Sequence, residues 1–334
     1  MCRSDGPPPP HLIMAAIFCD RDIAALVFSF QDGVYEDVRP LVLALSVESL
    51  FYILNITTVR YVTRQDWRNL ERLKKLGLWA RILQFNAACA RWIASLPTLS
   101  DVSRLPACLP RMDDALLIHA ATTGNIALLD HCLQPRRPDS LAALIALGAA
   151  SCHDTLVLLV DLAAWTGHVT FVDHVVVAYR PQFHVLFPSS LGGAIVQGHL
   201  TTVQYFVAHG CFTGRAIDLA AAHGHLALLS FLHDHDAAAT AALDAWDSYC
   251  TTIALDEAAG NGHLACVQFL LTHRREGCTA YAMDNASTNG HLDVVVCLID
   301  HGKGGTFSAL AGAAANGHNA IVAYLKRNPR FIQS

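Results

Sequence analysis

The side chains with the most chemistry to offer are histidines. The 334-residue chain carries eighteen of them, and His223, His225, His233 and His235 fall close together as two His-x-His pairs, a donor set that zinc accepts through neutral imidazole nitrogens. Eleven cysteines add thiols that could ligate metal or, beside a histidine, act as nucleophiles. The surrounding sequence does not support either chemistry. No CxxC pair occurs, no serine sits in a GxSxG elbow, and no GxxxxGK[ST] phosphate loop is present; the run from Gly302 to Gly305 reads as a flexible turn.

The elements that would have to position these residues explain them better. In ALDEAAGNGHLACVQFLLTH, residues 254–273, a short helix with Ala258 and Ala259 on its close-packing side ends at Gly262, since glycine takes the left-handed conformation after a helix at little cost. The next run has apolar residues at Leu264, Cys266, Val267, Phe269 and Leu270, the stripe of a second helix and not the alternation of a strand. The unit is a helix hairpin, and AMDNASTNGHLDVVVCLIDH, residues 282–301, repeats it. Five more copies centre on Gly124, Gly167, Gly198, Gly224 and Gly317. Five residues after these glycines stand Leu129, Val172, Val203, Leu229, Val267, Val295 and Val322, so this position faces the stack in every copy.

Register then accounts for the histidines. His225 shares the place after the glycine with His168, His199, His263, His291 and His318. His235 shares the end of the second helix with His209, His273 and His301, where an imidazole can bond free carbonyls. His223 and His233 lie on different helices with no acidic partner in view, so no metal, cofactor or catalytic residue is expected.

The half-repeat xLxxAAxxGHxxxVxxLL resembles the helix-turn-helix part of the ankyrin repeat, over about residues 113–328. Two departures stand out. The TPLH tetrapeptide is missing, with Asp218, Asp256 and Asp284 at its histidine position, and successive glycines are 43, 31, 26, 38, 28 and 27 residues apart, against about 33 in that family. Trimmed loops are expected at the short intervals and insertions at the two long ones. PRRPDSLAALIALGAA, residues 135–150, would supply an extra helix in the first. Residues 236–252 lengthen the second, with Trp246 and Tyr249 either packing locally or forming a recognition loop. The family holds polypeptide partners on its concave face, notably through the pair before each glycine. That implies partner contacts at Thr123, Trp165, Thr166, Gln197, His223, Asn261, Asn289 and Asn316, with Trp165 as the anchor. An asparagine there is also a favourable helix terminator, and both roles stay open.

Ahead of the repeats, residues 1–11 with four consecutive prolines read as a disordered tail. Residues 12–112 read as a helical region, with two patterns between 64 and 96 parted near Gly77 and a boundary at Pro97, Pro106 and Pro110. Its LVFSFQ stretch and following apolar helix resemble the opening of an F-box, without that motif's Leu-Pro pair. In the last copy Asn319 and Lys326 stand where others are apolar, so the stack should end there.

A net charge of −5 with no basic block argues against a nucleic-acid or anionic-membrane partner. The odd cysteine number, and Cys132, Cys266 and Cys297 on the helical stripe, read as reduced core thiols. Neither a secretion signal nor a membrane span is evident. The sequence thus describes an all-α protein, an ankyrin-like helical-hairpin solenoid of about seven repeats (113–328) behind an N-terminal helical region. It is expected to be a monomeric, cytoplasmic, non-catalytic scaffold for a protein partner, with the nucleus open to it; an adaptor for a ubiquitin ligase is the alternative.

Overall fold

The computed structural model describes residues 78–98, 102, 112–133, 150–178, 188–211, 215–240, 250–329 and 332–333. The proline-rich start, the F-box-like segment, residues 135–149, Trp246 and Tyr249 lie outside the described residues. The chain divides into two compact units, Met1–His184 and Val185–Ser334, and the division falls inside the repeat array. Fifteen helices and one pair of two-residue strands make up the described chain.

In the first unit α1 (Leu78–Ser95) precedes two hairpins, α2 (Met112–Thr123) with α3 (Ile126–Cys132) and α4 (Ala150–Thr166) with α5 (Val169–Ala178). The second unit holds five. They are α6 (Pro188–Gln197) with α7 (Leu200–Ala208), α8 (Ala216–Ala222) with α9 (Leu226–Thr240), α10 (Thr252–Gly260) with α11 (Leu264–His273), α12 (Tyr281–Asn289) with α13 (Leu292–Asp300), and α14 (Phe307–Ala315) with α15 (Asn319–Arg327). Inner helices pack on inner helices and outer on outer within each unit.

Every hairpin turns in the same way. The seven repeat glycines have φ between 69° and 91°. In the second hairpin of the first unit, Gly167 N–H donates to Ala164 O and His168 N–H to Ala163 O; Gly262 and His263 do the same to Ala259 O and Ala258 O. This paired closure satisfies the last free carbonyls of the first helix. The next residue but one already begins the second helix, so two residues both stop one helix and start another.

Within each unit, His168, His225, His263, His291 and His318 reach back to the repeat before. A Cβ placed on Gly262 would lie 2.5 Å from the His291 ring, and one on Gly224 2.6 Å from His263, so the ring occupies the space that only glycine leaves. His225 Nε2 then meets Val196 O at 2.9 Å and His168 Nε2 meets Thr122 O at 3.1 Å. The first copy has Asn125 instead, and its side chain accepts from Leu128 N–H at 3.0 Å, capping its own helix. Ala120, Ala163, Ala220, Ala258 and Ala286 are fully buried and let inner helices approach closely, while Val172, Val203, Leu229, Val267 and Val295 fill the layer between inner and outer helices. Val322 of the last copy is only half-buried, and Asn319 and Lys326 are exposed, as an end of the stack requires.

The described parts of the two long intervals are helical. α9 runs for 15 residues where α11 has 10, so the helix itself absorbs the start of the 236–252 stretch. α4 is 17 residues long and begins at Ala150. The loops at 274–280 and 301–304 are short and carry no hairpin. The chain's end returns instead: β2 (Ile332–Gln333) pairs in parallel with β1 (Gly305–Thr306), Gly305 opposite Ile332. Ile332 and Gln333 thereby lie beside the last repeat's loop where another repeat's loop would come.

α1 realises the second of the two helical patterns expected between residues 64 and 96. Its buried stripe of Ile82, Phe85, Asn86, Cys89 and Trp92 repeats at three- and four-residue steps. Asn86 carries a directed chain of bonds: His119 Nδ1–H donates to Asn86 Oδ1 at 2.9 Å, Asn86 Nδ2–H to Thr122 Oγ1 at 2.8 Å, and Thr122 Oγ1–H to Ile118 O at 2.8 Å. Burial pulls His119 down from 6.5 to about 4, because a charged imidazole would be stripped of water.

Two outcomes follow. Gly317→Ala meets nothing within 4 Å and carries only the left-handed backbone cost of about 1–2 kcal/mol, whereas Gly262→Ala also strikes the His291 ring and should lose roughly 2–4 kcal/mol in denaturant titration. Equal losses would remove the ring from the account. As for pH, the unfolded chain binds a proton at His119 below 6.5 and the folded chain only near 4, so stability contributed by the neutral ring is complete above 6.5 and fades as pH falls towards 4. The loss is at most about 3 kcal/mol, and it should be missing from His119→Gln when both proteins are unfolded at pH 7 and at pH 4.5.

Candidate functional site

An inner helix of a repeat array has one row of residues facing its neighbours and one facing outward, and the pair before each glycine sits where these meet. Thr123 is exposed, with its hydroxyl donating to His119 O at 2.6 Å, and Thr166 Oγ1 donates to Leu162 O at 2.8 Å. Gln197 and His223 are half-buried, and the His223 ring lies parallel to His225 at 6.4 Å. Asn261, Asn289 and Asn316 are exposed, yet their Nδ2 groups donate to Ala222 O at 2.9 Å, Gly260 O at 2.7 Å and Thr288 O at 2.7 Å in the preceding repeat. The amide row therefore stitches repeats together, with each carboxamide oxygen left as the end that can accept from outside.

Trp165 differs from its expected role as an exposed anchor. It is 3% exposed, with Trp79 of α1 edge-on to it at 6.3 Å. An indole this large at a small-residue position draws cover to itself, and here the cover is a helix that lay outside the repeat register.

The aspartates that replace the TPLH histidine form a second set of bonds between repeats. Asp256 is 8% exposed; its Oδ1 accepts from Thr279 N–H at 2.9 Å and its Oδ2 from Thr279 Oγ1–H at 2.7 Å. Asp218 holds Thr251 the same way (2.8 and 2.9 Å), and Asp284 holds Thr306 (2.7 and 2.7 Å). Each threonine oxygen in turn accepts from the amide two residues on, Ile253, Tyr281 or Ser308, capping the inner helix. Three buried carboxylates thus take two donors each from a threonine, and Asp218 a third from Arg215 Nε at 3.4 Å, the arrangement that makes a buried charge tolerable. The threonines eleven residues before Gly262, Gly290 and Gly317 were the legible signal for this, and the sequence reading passed over them.

These capped first turns expose apolar side chains. Ile253 is 39% exposed, Tyr281 68% and Phe307 67%, on three consecutive inner helices, while Glu257 and Asn285 stand exposed one turn further along. No polar scaffold bond uses these three apolar groups.

The imidazoles and thiols offer no reactive centre among the described residues. His209, His273 and His301 donate from Nδ1 to Tyr205 O (2.8 Å), Phe269 O (3.0 Å) and Cys297 O (2.8 Å), as helix-end residues should. His233 packs edge-on against Phe269 and His273 and faces Arg274, a cation that opposes metal binding. No group of three or more His, Cys, Asp or Glu side chains among the described residues is arranged to hold a metal ion. Burial pushes the Cys89 and Cys250 thiols up to about 12 and those of Cys211 and Cys266 up to about 11, far from nucleophilic thiolates. No described helix is long and apolar enough to cross a membrane.

Residues 217–271 match the family model described as ankyrin repeats (many copies). No curated protein matches the chain. The matched segment spans the Gly224 and Gly262 hairpins, so these residues are ankyrin repeats, which are generally protein-interaction modules.

Removing the staple should be felt strongly. Asp256→Ala leaves Thr279 N–H and its hydroxyl without their acceptor, and the expected loss is about 2–4 kcal/mol in urea unfolding. Thr279→Ala leaves Asp256 with only the backbone N–H and the inner helix without its cap, and should lose about 1–3 kcal/mol, whereas the exposed Thr272→Ala should lose less than about 0.5 kcal/mol.

Proposed function

We propose that the chain is a non-catalytic scaffold that binds a polypeptide partner along the inner face of its repeats. In the Val185–Ser334 unit the contact line runs through Ile253, Tyr281 and Phe307. What supports the reading is the exposure of these three large apolar groups in the first turns of three successive inner helices. A solvent-facing tyrosine and phenylalanine two-thirds exposed gain most when a partner covers them, and rigid aromatic anchors are where binding energy concentrates.

Polar groups beside the line suit a peptide backbone. Asn261, Asn289 and Asn316 have their amino ends held by the preceding repeat and so present fixed carboxamide oxygens as acceptors. Glu257 is the exposed charge among them, which favours a neutral or basic segment over an acidic one. The buried free thiols of Cys89, Cys266 and Cys297 suit a reducing compartment, and the proposal assigns the scaffold to the cytoplasm.

The experiment is a tandem affinity purification from the native cell with crosslinking, comparing the wild type with Tyr281→Ser and Phe307→Ser together. Thr272→Ala on the outer helix α11 serves as control. A prey retained by wild type and control and reduced about tenfold or more by the double variant is the expected result, the scale of one lost hot spot. Equal recovery from all three proteins, with the double variant still folded by circular dichroism, would overturn the inner-face reading. The adaptor alternative makes a separate prediction: recovery of a ubiquitin-ligase scaffold that is lost when residues 18–55 are deleted.

A further inference from the structure

The first unit carries something on its inner face that the second does not. At the position five residues before the repeat glycine, Glu257 and Asn285 of the second unit are exposed. In the first unit the equivalent His119 is 2% exposed, and Thr122 and Trp165, two residues before Gly124 and Gly167, are 8% and 3% exposed. The cover is α1. Trp79 sets its ring edge-on to Trp165 at 6.3 Å, Phe85 sets its ring edge-on to His119 at 6.2 Å, and Asn86 bonds both His119 and Thr122. One stripe of α1 is buried while Leu83, Gln84, Ala87, Ala90 and Arg91 on the other side are exposed. The contact is that of an amphipathic helix laid in a groove, with a polar centre between two aromatic contacts.

We propose that the inner face of the first two repeats is a helix-binding site whose resident occupant is this chain's own α1, exchangeable for an amphipathic helix of a partner. The inference rests on the reading of the inner faces as polypeptide-binding surfaces and adds the conformation of the ligand and its regulation. An incoming helix needs an aromatic residue in place of Trp79, a second in place of Phe85 six positions on, and a carboxamide next to it to take the His119 and Thr122 bonds. While α1 is seated, the site is closed to it, and the apparent affinity of a competitor falls by the fraction of time the site stands open.

Two measurements on the full chain decide it. In hydrogen–deuterium exchange of the wild type, an exchangeable α1 gives amides in the Leu83–Ala90 turns that exchange at least ~10-fold faster than those of α2 and α4, through opening of α1 alone; exchange of all three helices at one rate makes α1 a fixed part of the unit and overturns the proposal. In fluorescence anisotropy, a labelled synthetic peptide of residues 78–95 is titrated against the wild type and against Trp79→Ala with Asn86→Ala. The weakened variant should bind the peptide at least ~10-fold more tightly than the wild type, because a resident seated about nine-tenths of the time lowers apparent affinity about tenfold. Equal or absent binding overturns the proposal. Neither failure touches the scaffold reading, whose prey is lost through Tyr281 and Phe307 in the other unit.

Discussion

The repeats are held at their spacing by an imidazole ring lying on a glycine. A left-handed residue is needed to close the paired bonds at the end of each inner helix, and glycine meets that need at Gly198, Gly224, Gly262 and Gly290. The same missing side chain opens a slot against which His225, His263, His291 and His318 lie, each from the following repeat. One residue type therefore serves two constraints that are independent in origin, a backbone angle within a hairpin and a close approach between hairpins. The histidine is matched to it because its Nε2 can go on to a carbonyl of the repeat it touches, as His318 does with Thr288 O at 3.1 Å. Replacing the ring by an aliphatic chain would keep the contact and lose that bond, as at Val196 O, which His225 meets at 2.9 Å.

Inner helices brought this close must be joined by groups that fit, and the aspartate-to-threonine staple does so. Its logic is directional: Asp218, Asp256 and Asp284 each serve the threonine of the repeat that follows. The last repeat has Ala311 at the equivalent position and so offers no carboxylate there. Gly305 also belongs to this joint, since a Cβ on it would come within 2.6 Å of Asp284 Oδ1. Beyond it the returning strand Ile332–Gln333 takes the edge, so the array closes with backbone bonds where it had used carboxylates. Both devices satisfy donors that a bare end would expose.

The hairpins, their glycine turns, the second-helix stripe and the helix-end histidines were legible because each depends on spacing within one repeat, and a 3.6-residue period survives in a single sequence. The staple was not, although the aspartates were noticed as a departure at the TPLH histidine position. Its two halves lie 33, 23 and 22 residues apart, so no fixed period links them; only alignment of each threonine on the glycine of its own repeat would have done so. Trp165 was misread for a related reason. At the same register position Val196 and Gly260 are buried too, and Trp165 gains further cover from Trp79 of a helix with no part in the repeat pattern. The asparagines before Gly262, Gly290 and Gly317 fell between, since their types suit partner contact and helix termination equally, and the bonds they make tie neighbouring repeats.

That division between used and unused groups is what locates function on this array. Polar side chains on the inner face are largely consumed by the scaffold: the asparagines donate backwards, the threonines cap and brace, the aspartates are buried. A partner can gain little from a donor already satisfied, because it must break one bond to form another. Apolar groups carry no such prior engagement, and their exposure to water is the free energy a partner recovers on covering them. Ile253, Tyr281 and Phe307 sit in the first helical turn because the threonine cap and its aspartate fix that turn so firmly that the outward positions need contribute nothing to folding. The stapling that makes short repeats rigid thus frees a line of side chains for recognition, while in the first unit the chain sets a helix of its own against Trp165 in the last turn of an inner helix.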